Sequence, residues 1–217
     1  MAALRDIRRK ITAVQKTKQI TRAMNMVSAS KLRSAQMRME NFRPYAIKFM
    51  DVLNSLALRV DPKSHPLLAA REPRKIRVIV MTADRGLCGG FNTNVIRAAE
   101  RFVQAKAKEG KEVSLVTVGR KGRDYFRKKQ KLHSMHPDVF RKFDMGLAIG
   151  IGEDVIPAFI TEDYDELYLV YNEFASVSIQ RPRVVRLLPL PSVGTEEEVD
   201  YEKRLDYIYE PSDEVLL

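Results

Sequence analysis

Residues 4–58 read LRDIRRKITAVQKTKQITRAMNMVSASKLRSAQMRMENFRPYAIKFMDVLNSLAL, with no glycine anywhere in the stretch. Steps of three and four residues from Leu4 land on Ile7, Ile11, Val14, Lys18, Thr21, Asn25, Ser28, Leu32, Ala35, Met39, Phe42, Ala46, Phe49, Leu53 and Leu56. Twelve of these sixteen positions are apolar. That is the seam of a coiled coil, narrower than the stripe of a helix lying on a globular core. The spacing predicts one helix of roughly 80 Å at 1.5 Å per residue. A domain of this chain's size is about 30–40 Å across, so most of the helix is expected to project beyond it and to need a partner. Pro44 should remove one backbone hydrogen bond and bend the helix without ending it, because Phe42, Ala46, Phe49 and Leu53 keep the register.

Charge narrows the partner. Residues 1–60 hold thirteen Lys and Arg against Asp6, Glu40 and Asp51, a net of +10, which equals the excess of the whole chain. Between Ile7 and Met39 there is no carboxylate. The expected partner therefore offers acidic groups, phosphates or carbonyl-rich surface. The seam turns polar at Lys18, Thr21, Asn25 and Ser28, while Ile20, Ala23, Met24 and Val27 form an apolar patch on the adjoining flank, so contact is expected from more than one side. No later segment offers more than about 20 residues of uninterrupted helical pattern. A second strand for the seam must come from another polypeptide or from a segment this sequence does not contain.

The N-terminus is charged from Arg5 onward and has neither the apolar run nor the small residues of a secretory signal. No window approaches 18 consecutive apolar residues, which argues against a membrane-spanning helix. Cys88 is the single cysteine, which excludes an internal disulfide and a multi-cysteine zinc site; a reducing cell interior is the default expectation.

Residues 61–75, with three prolines, read as a connection. Beyond it, residues 76–83 (IRVIVMTA) read as a strand buried on both faces, residues 93–109 as a helix, residues 112–119 as a second strand, and RKGRDYFRKK (120–129) as a very basic second helix. HSMHPDVFRKFDMGLAIG (133–150) reads as a loop with an edge strand or short helix, and IGEDVIPAFI (151–160) as a third helix. Residues 165–174 are the clearest strand, and residues 181–190 its antiparallel neighbour. The expected fold class is α/β, a long N-terminal coiled-coil helix plus a Rossmann-like domain. The expected division is 1–60 for the helix, 61–75 for the connection, 76–211 for the α/β domain, and 212–217 as the start of a further helix after the cap-like SDE.

The loop TADRGLCGGFN carries Gly86, Gly89 and Gly90 where nucleotide folds hold phosphate, but it lacks both the P-loop Lys-Ser/Thr and the G-x-G-x-x-G spacing. The glycines are read as permitting a tight strand-to-helix turn that Asp84 and Asn92 cap. Cys88 is read as a small buried apolar residue. His65, His133 and His136 have no ligand spacing and are read as loop residues. Asp163, Asp165 and Glu166 are read as solvated charge, as are Glu196, Glu197 and Glu198. No catalytic constellation, cofactor site or metal site is expected.

Taken together, DIRRKITAVQKTKQITRAMNMVSASKLRSAQ, TADRGLCGGFN, LYLVYNEF, RPRVVRLLPL and DYIYEP, in that order, resemble the gamma subunit of F-type ATP synthases, the central stalk of the F1 motor. The resemblance runs from Asp6 to about Pro211. It implies an antiparallel coiled coil of N- and C-terminal helices on an α/β foot. This sequence does not contain the long C-terminal helix of the family, so a truncated or incomplete gene product is expected. It also lacks the regulatory dithiol of chloroplast gamma subunits, which leaves a bacterial form as the simplest match. The resemblance implies a non-catalytic rotor that couples proton-driven rotation to ATP synthesis on neighbouring chains, without being a homo-oligomer. The implied place is the cytoplasmic face of the bacterial plasma membrane, peripheral to it.

By similarity, Arg8, Ile11, Lys18, Gln19, Ile20, Arg22 and Met24 lie where the axle meets the α3β3 ring of alpha and beta subunits. Tyr207, Tyr209 and Glu210 would face the epsilon subunit and the c-ring. The alternative is a nucleic-acid-binding protein with a basic helix on an α/β body, which the sequence pI of about 9.7 invites. Against it, the basic residues flank the seam throughout, and the first 40 residues hold no aromatic for base stacking.

Overall fold

The computed structural model describes residues 2–59, 65–139 and 144–190. The first element, α1 (Ala2–Arg59), is a single helix of 58 residues that continues through Pro44. Residues 1–53 form one unit and residues 54–217 another. In the first unit, seam residues predicted from the heptad stay open to solvent: Leu4, Ile7, Ile11, Val14, Leu32, Phe42 and Phe49 are each at least 43% exposed. Phe42, Tyr45 and Phe49 contact one another along the helix, with ring centroids 5.4 and 6.0 Å apart.

The second unit follows the element order read from the sequence. A short 3-10 turn (Pro66–Leu68) precedes β1 (Lys75–Met81), α2 (Phe91–Lys108), β2 (Glu112–Val118), α3 (Arg120–Phe126), β3 (Leu132–His136), α4 (Met145–Ile160), β4 (Glu166–Phe174) and β5 (Gln180–Leu188). The sheet order is β3-β2-β1-β4-β5, parallel except for β5, which pairs antiparallel with β4. The chain winds outward from β1 to β3, then crosses back to β4 on the other side of β1. That reversal defines the doubly wound class.

Alternation along β1 builds both halves of the core. Ile76, Val78 and Val80 pack with Val95, Ile96, Ala99 and Val103 of α2 and with Phe126 of α3. Ile79 packs on the other face with Val116, Val155 and Phe159 of α4, Tyr164 and Leu188. Pro182 lies inside β5 opposite Asn172, tolerated because β5 is an edge strand.

Several sequence expectations change in detail. The basic helix over 120–129 ends at Phe126, which anchors it in the core at 1% exposure, and the chain turns through Lys129 and Gln130, whose amides both donate to the Phe126 carbonyl. His133 and His136 lie on β3, the parallel edge strand, and His65 caps the 3-10 turn by accepting from the Leu67 amide at 3.3 Å. Asp165 is structural: one carboxylate oxygen accepts from the amides of Arg74 and Lys75, each at 2.8 Å, fixing the start of β1. Glu166, with only 13% of its side chain exposed, accepts from the Tyr168 hydroxyl at 3.0 Å. The expected strand-like RLDYIYE, the acidic run Glu196–Glu198 and the helix start at 212–217 lie outside the described residues.

Gly119 is where the β2–α3 turn meets the end of β1. Its φ is +91°, and a Cβ there would lie 1.9 Å from the Thr82 carbonyl oxygen. The Thr82 hydroxyl in turn accepts from the Gly122 amide at 2.7 Å. Gly119→Ala should destabilise the α/β unit by about 3 kcal/mol or more, combining backbone strain with a steric clash. Gly110→Ala, at φ +78° with no atom within 4 Å, should cost only about 1–2 kcal/mol from the left-handed backbone alone. Urea denaturation of the two variants against wild type measures the difference.

Candidate functional site

The residues that the resemblance places at an alpha/beta ring all stand on one stretch of α1. Arg8, Ile11, Lys18, Gln19, Ile20, Arg22 and Met24 are all exposed, within roughly 24 Å of helix axis. Two apolar stripes share this stretch. Ile7, Ile11 and Val14 continue the seam, while Ile20, Met24 and Val27, at 52–61% exposure, lie one residue out of step and so face about 100° away. The same stretch is hydroxyl-rich: Thr12, Thr17 and Thr21 donate to the carbonyls of Arg8, Ala13 and Thr17 at 2.9–3.0 Å. The surface joins apolar knobs with an unopposed cationic face, and its chemistry suits an acidic partner.

The second place to look for function is the crevice at the C-terminal ends of β1 and β4, where doubly wound folds bind ligands. Here the chain's own side chains tie the loops to one another. Asn92 accepts from the Ala83 amide at 2.8 Å and donates to the Arg85 carbonyl at 3.2 Å, so it ties the turn as expected. Asp84 reaches elsewhere: one carboxylate oxygen accepts from the amides of Arg120 and Asp138, each at 2.9 Å. Arg120 closes the knot through an ion pair with Asp138. Asn172 of β4 donates to the Phe91 carbonyl at 3.2 Å, at the start of α2. A carboxylate already seated at the start of α3 repels phosphate, and no lysine follows the glycines to replace it.

The loop itself is turned outward. Gly89 and Leu87 both hold positive φ, +56° and +61°, and Leu87 is 96% exposed. Cys88, expected to be buried, is exposed and sits 3.1 Å from the Asn92 amide nitrogen. The loop backbone curls around Asn92, and this pushes both side chains to the surface. Leu87 escaped sequence reasoning because nothing in a glycine-rich turn distinguishes a knob from a filler.

On the α4 side of the sheet, burial acts on a pair of polar groups. Arg77 is 5% exposed, with its guanidinium 4.4 Å from the Tyr164 ring centroid and its Nε donating to the Ser114 hydroxyl at 3.4 Å. Burial lowers the Arg77 pKa and raises that of Tyr164. Tyr164 spends its hydroxyl on the Val155 carbonyl at 2.7 Å, so the pair is structural. Among the described residues, no group of three or more His, Cys, Asp or Glu could hold a metal ion, and no helix is long and apolar enough to cross a membrane.

An exposed apolar seam on a basic helix, in a chain whose other unit ties its crevice loops to one another through Asn92 and Asn172, is the pattern of a subunit of a larger assembly. A family model described as ATP synthase matches residues 3–217. The ATP synthase gamma chain of Syntrophus aciditrophicus is 65% identical over 217 residues, covering all of this chain and 75% of that one. The gamma chain of Geobacter metallireducens is 44% identical over the same length with the same coverage. Among solved structures, the Tetrahymena thermophila mitochondrial ATP synthase central stalk and c-ring contains a chain that superposes with a TM-score of 0.61 at 26% identity, over 78% of this chain and 72% of that one. The chain belongs to the ATP synthase gamma chain family, and its role is that of the central-stalk rotor subunit. The nucleic-acid reading finds no support.

The Asp84 and Asn92 ties give a graded expectation. Asn92→Ala removes three contacts that close one turn and should cost about 1–2 kcal/mol. Asp84→Ala strips an acceptor from two amides that water can reach and should cost about 1 kcal/mol. Both are read as urea midpoints, and neither variant should gain thermal protection from millimolar ATP.

Proposed function

We propose that α1 is the axle that alpha and beta subunits grip, and that Arg8, Ile11, Lys18, Gln19, Ile20, Arg22 and Met24 form its contact with their ring. The observation that carries this reading is the solvent-open apolar seam of α1 on a helix with no carboxylate between Ile7 and Met39. Burying a Leu or Ile side chain contributes roughly 1.5–3 kcal/mol, so a partner covering several of them gains a large driving force. Acidic segments of the partner find thirteen basic residues in the first 60. The division follows: residues 1–60 as axle, 61–75 as connection and 76–211 as foot.

On this reading the foot meets the epsilon subunit and the c-ring through Tyr207, Tyr209 and Glu210, which lie outside the described residues. The chain works at the cytoplasmic face of the bacterial plasma membrane, as a peripheral part of a proton-driven motor. It performs no chemistry of its own. The ties of Asn92 and Asn172 across the crevice, and the Asp84 carboxylate at the start of α3, support that, since nucleotide turnover then belongs to neighbouring chains.

Co-purification with alpha and beta subunits is the test. The wild-type chain should be recovered with them, and the double substitution Ile11→Asp and Met24→Asp should reduce recovery at least about tenfold, the equivalent of about 1.4 kcal/mol. Equal recovery of both proteins would sink the contact assignment. ATP hydrolysis by the purified chain alone should stay at the buffer background, and measurable turnover contradicts the non-catalytic role.

A further inference from the structure

The net charge of +10 in residues 1–60 equals that of the whole chain, so residues 61–217 sum to zero. Within the α/β unit, however, the two signs are sorted to opposite sides of the sheet. Residues 91–131, which supply α2, β2 and α3, hold twelve lysines and arginines against Glu100, Glu109, Glu112 and Asp124. Residues 144–165, with α4, hold six carboxylates and no lysine or arginine. α2 and α3 pack on one face of the sheet and α4 on the other. The first layer is thus cationic and the second anionic.

The four acids of the cationic layer are spent inside it: Glu100 pairs with Lys129, Glu109 with Lys106 and Lys111, Glu112 with Lys131, and Asp124 with Arg123. Arg97, Arg101 and Lys108 of α2, with Lys121, Arg127 and Lys128 at α3, are exposed, and none of the four acids pairs with them. On α2 the three cations share a stripe with Asn94 and Gln104, an arc of about 80° that holds no carboxylate. Between Leu87 and Met135 no large apolar side chain is exposed. A protein interface is held at its centre by apolar and aromatic anchors, which this layer lacks. Cations on long stems with no anchor among them suit a partner whose negative charge is spread over a plane.

We infer that the α2–α3 layer is a surface for anionic lipid headgroups, and that α4 faces away from them. The inference rests on the placement at a membrane face proposed above, and adds which side of the α/β unit meets the lipid. Each lysine or arginine near an anionic leaflet strengthens adsorption about fivefold before salt screens it. Six cations without an ion pair therefore favour contact through this layer, while the carboxylates of residues 144–165 are repelled. With nothing apolar to insert, the unit rests at the level of the headgroups, and added salt releases it. The cations of α1 also attract anionic lipid, so the two surfaces are told apart only by a probe placed on the layer itself.

Cys88 is the chain's single cysteine, so on a Cys88→Ser background a fluorophore can be placed at Gln104→Cys on α2 or at Ile149→Cys on α4. Both positions are exposed. On vesicles of equal parts phosphatidylglycerol and phosphatidylcholine, quenching of the α2 label by acrylamide should fall at least about twofold, and that of the α4 label should not change. Vesicles of phosphatidylcholine alone should protect neither label. Adding Arg97→Gln, Arg101→Gln and Lys108→Gln should abolish protection of the α2 label. An α2 label quenched equally with and without phosphatidylglycerol overturns the inference, whether the chain adsorbs through α1 or the acidic residues Glu196–Glu198 cover the layer. Equal protection of both labels overturns it too, as does protection that survives the three substitutions. Co-purification with alpha and beta subunits is measured on the same chains: an unprotected α2 label with undiminished recovery strikes the lipid surface and leaves the axle standing.

Discussion

A helix of 58 residues with an apolar seam along it is the constraint on which everything else depends. In water such a helix gains nothing from its seam until another surface covers it. Its cations compound the problem, because the stretch between Ile7 and Met39 has no carboxylate to offset their mutual repulsion. The favourable terms come only with a partner that is at once apolar and acidic. The helix is thus specified by its assembly as much as by its own sequence.

The α/β unit solves a different problem. It holds a mostly parallel sheet together by tying the loops at its C-terminal edge to one another. Thr82, Gly119 and Gly122 bring the ends of β1 and β2 into backbone contact, and Asp84 carries the link on to Asp138 beyond β3. Asn172 joins β4 to the start of α2. Side chains at the place where a nucleotide enzyme holds phosphate serve here to lock loops to one another.

The sequence made some of this readable and hid the rest for a physical reason. The seam of α1, the two-faced β1 and the pairing of β4 with β5 are periodic, and periodicity needs no knowledge of neighbours. Cys88, Asp165 and the two β3 histidines went astray because their roles depend on what lies opposite in space. His133 opens the stretch read as a loop with an edge strand or short helix and His136 is its fourth residue, and only the register with β2 makes them strand residues beside Asp154. Arg77 interrupts an apolar run, and its burial over Tyr164 depends on a residue 87 positions away. Gly119 looked like an ordinary strand end until the Thr82 carbonyl was found against it.

The threonines of α1 lead to a property of its surface. Thr12, Thr17 and Thr21 each direct the hydroxyl hydrogen inward, to a carbonyl one turn back. What each offers outward is a methyl group and a lone pair, with no donor left to grip. Over that span the side-chain donors left for a neighbouring carbonyl or carboxylate are the lysine heads and the carboxamides of Gln15 and Gln19, all carried on long stems. Such a surface has weak angular preference, so whatever encircles it can slip around the axis without breaking a fixed set of bonds.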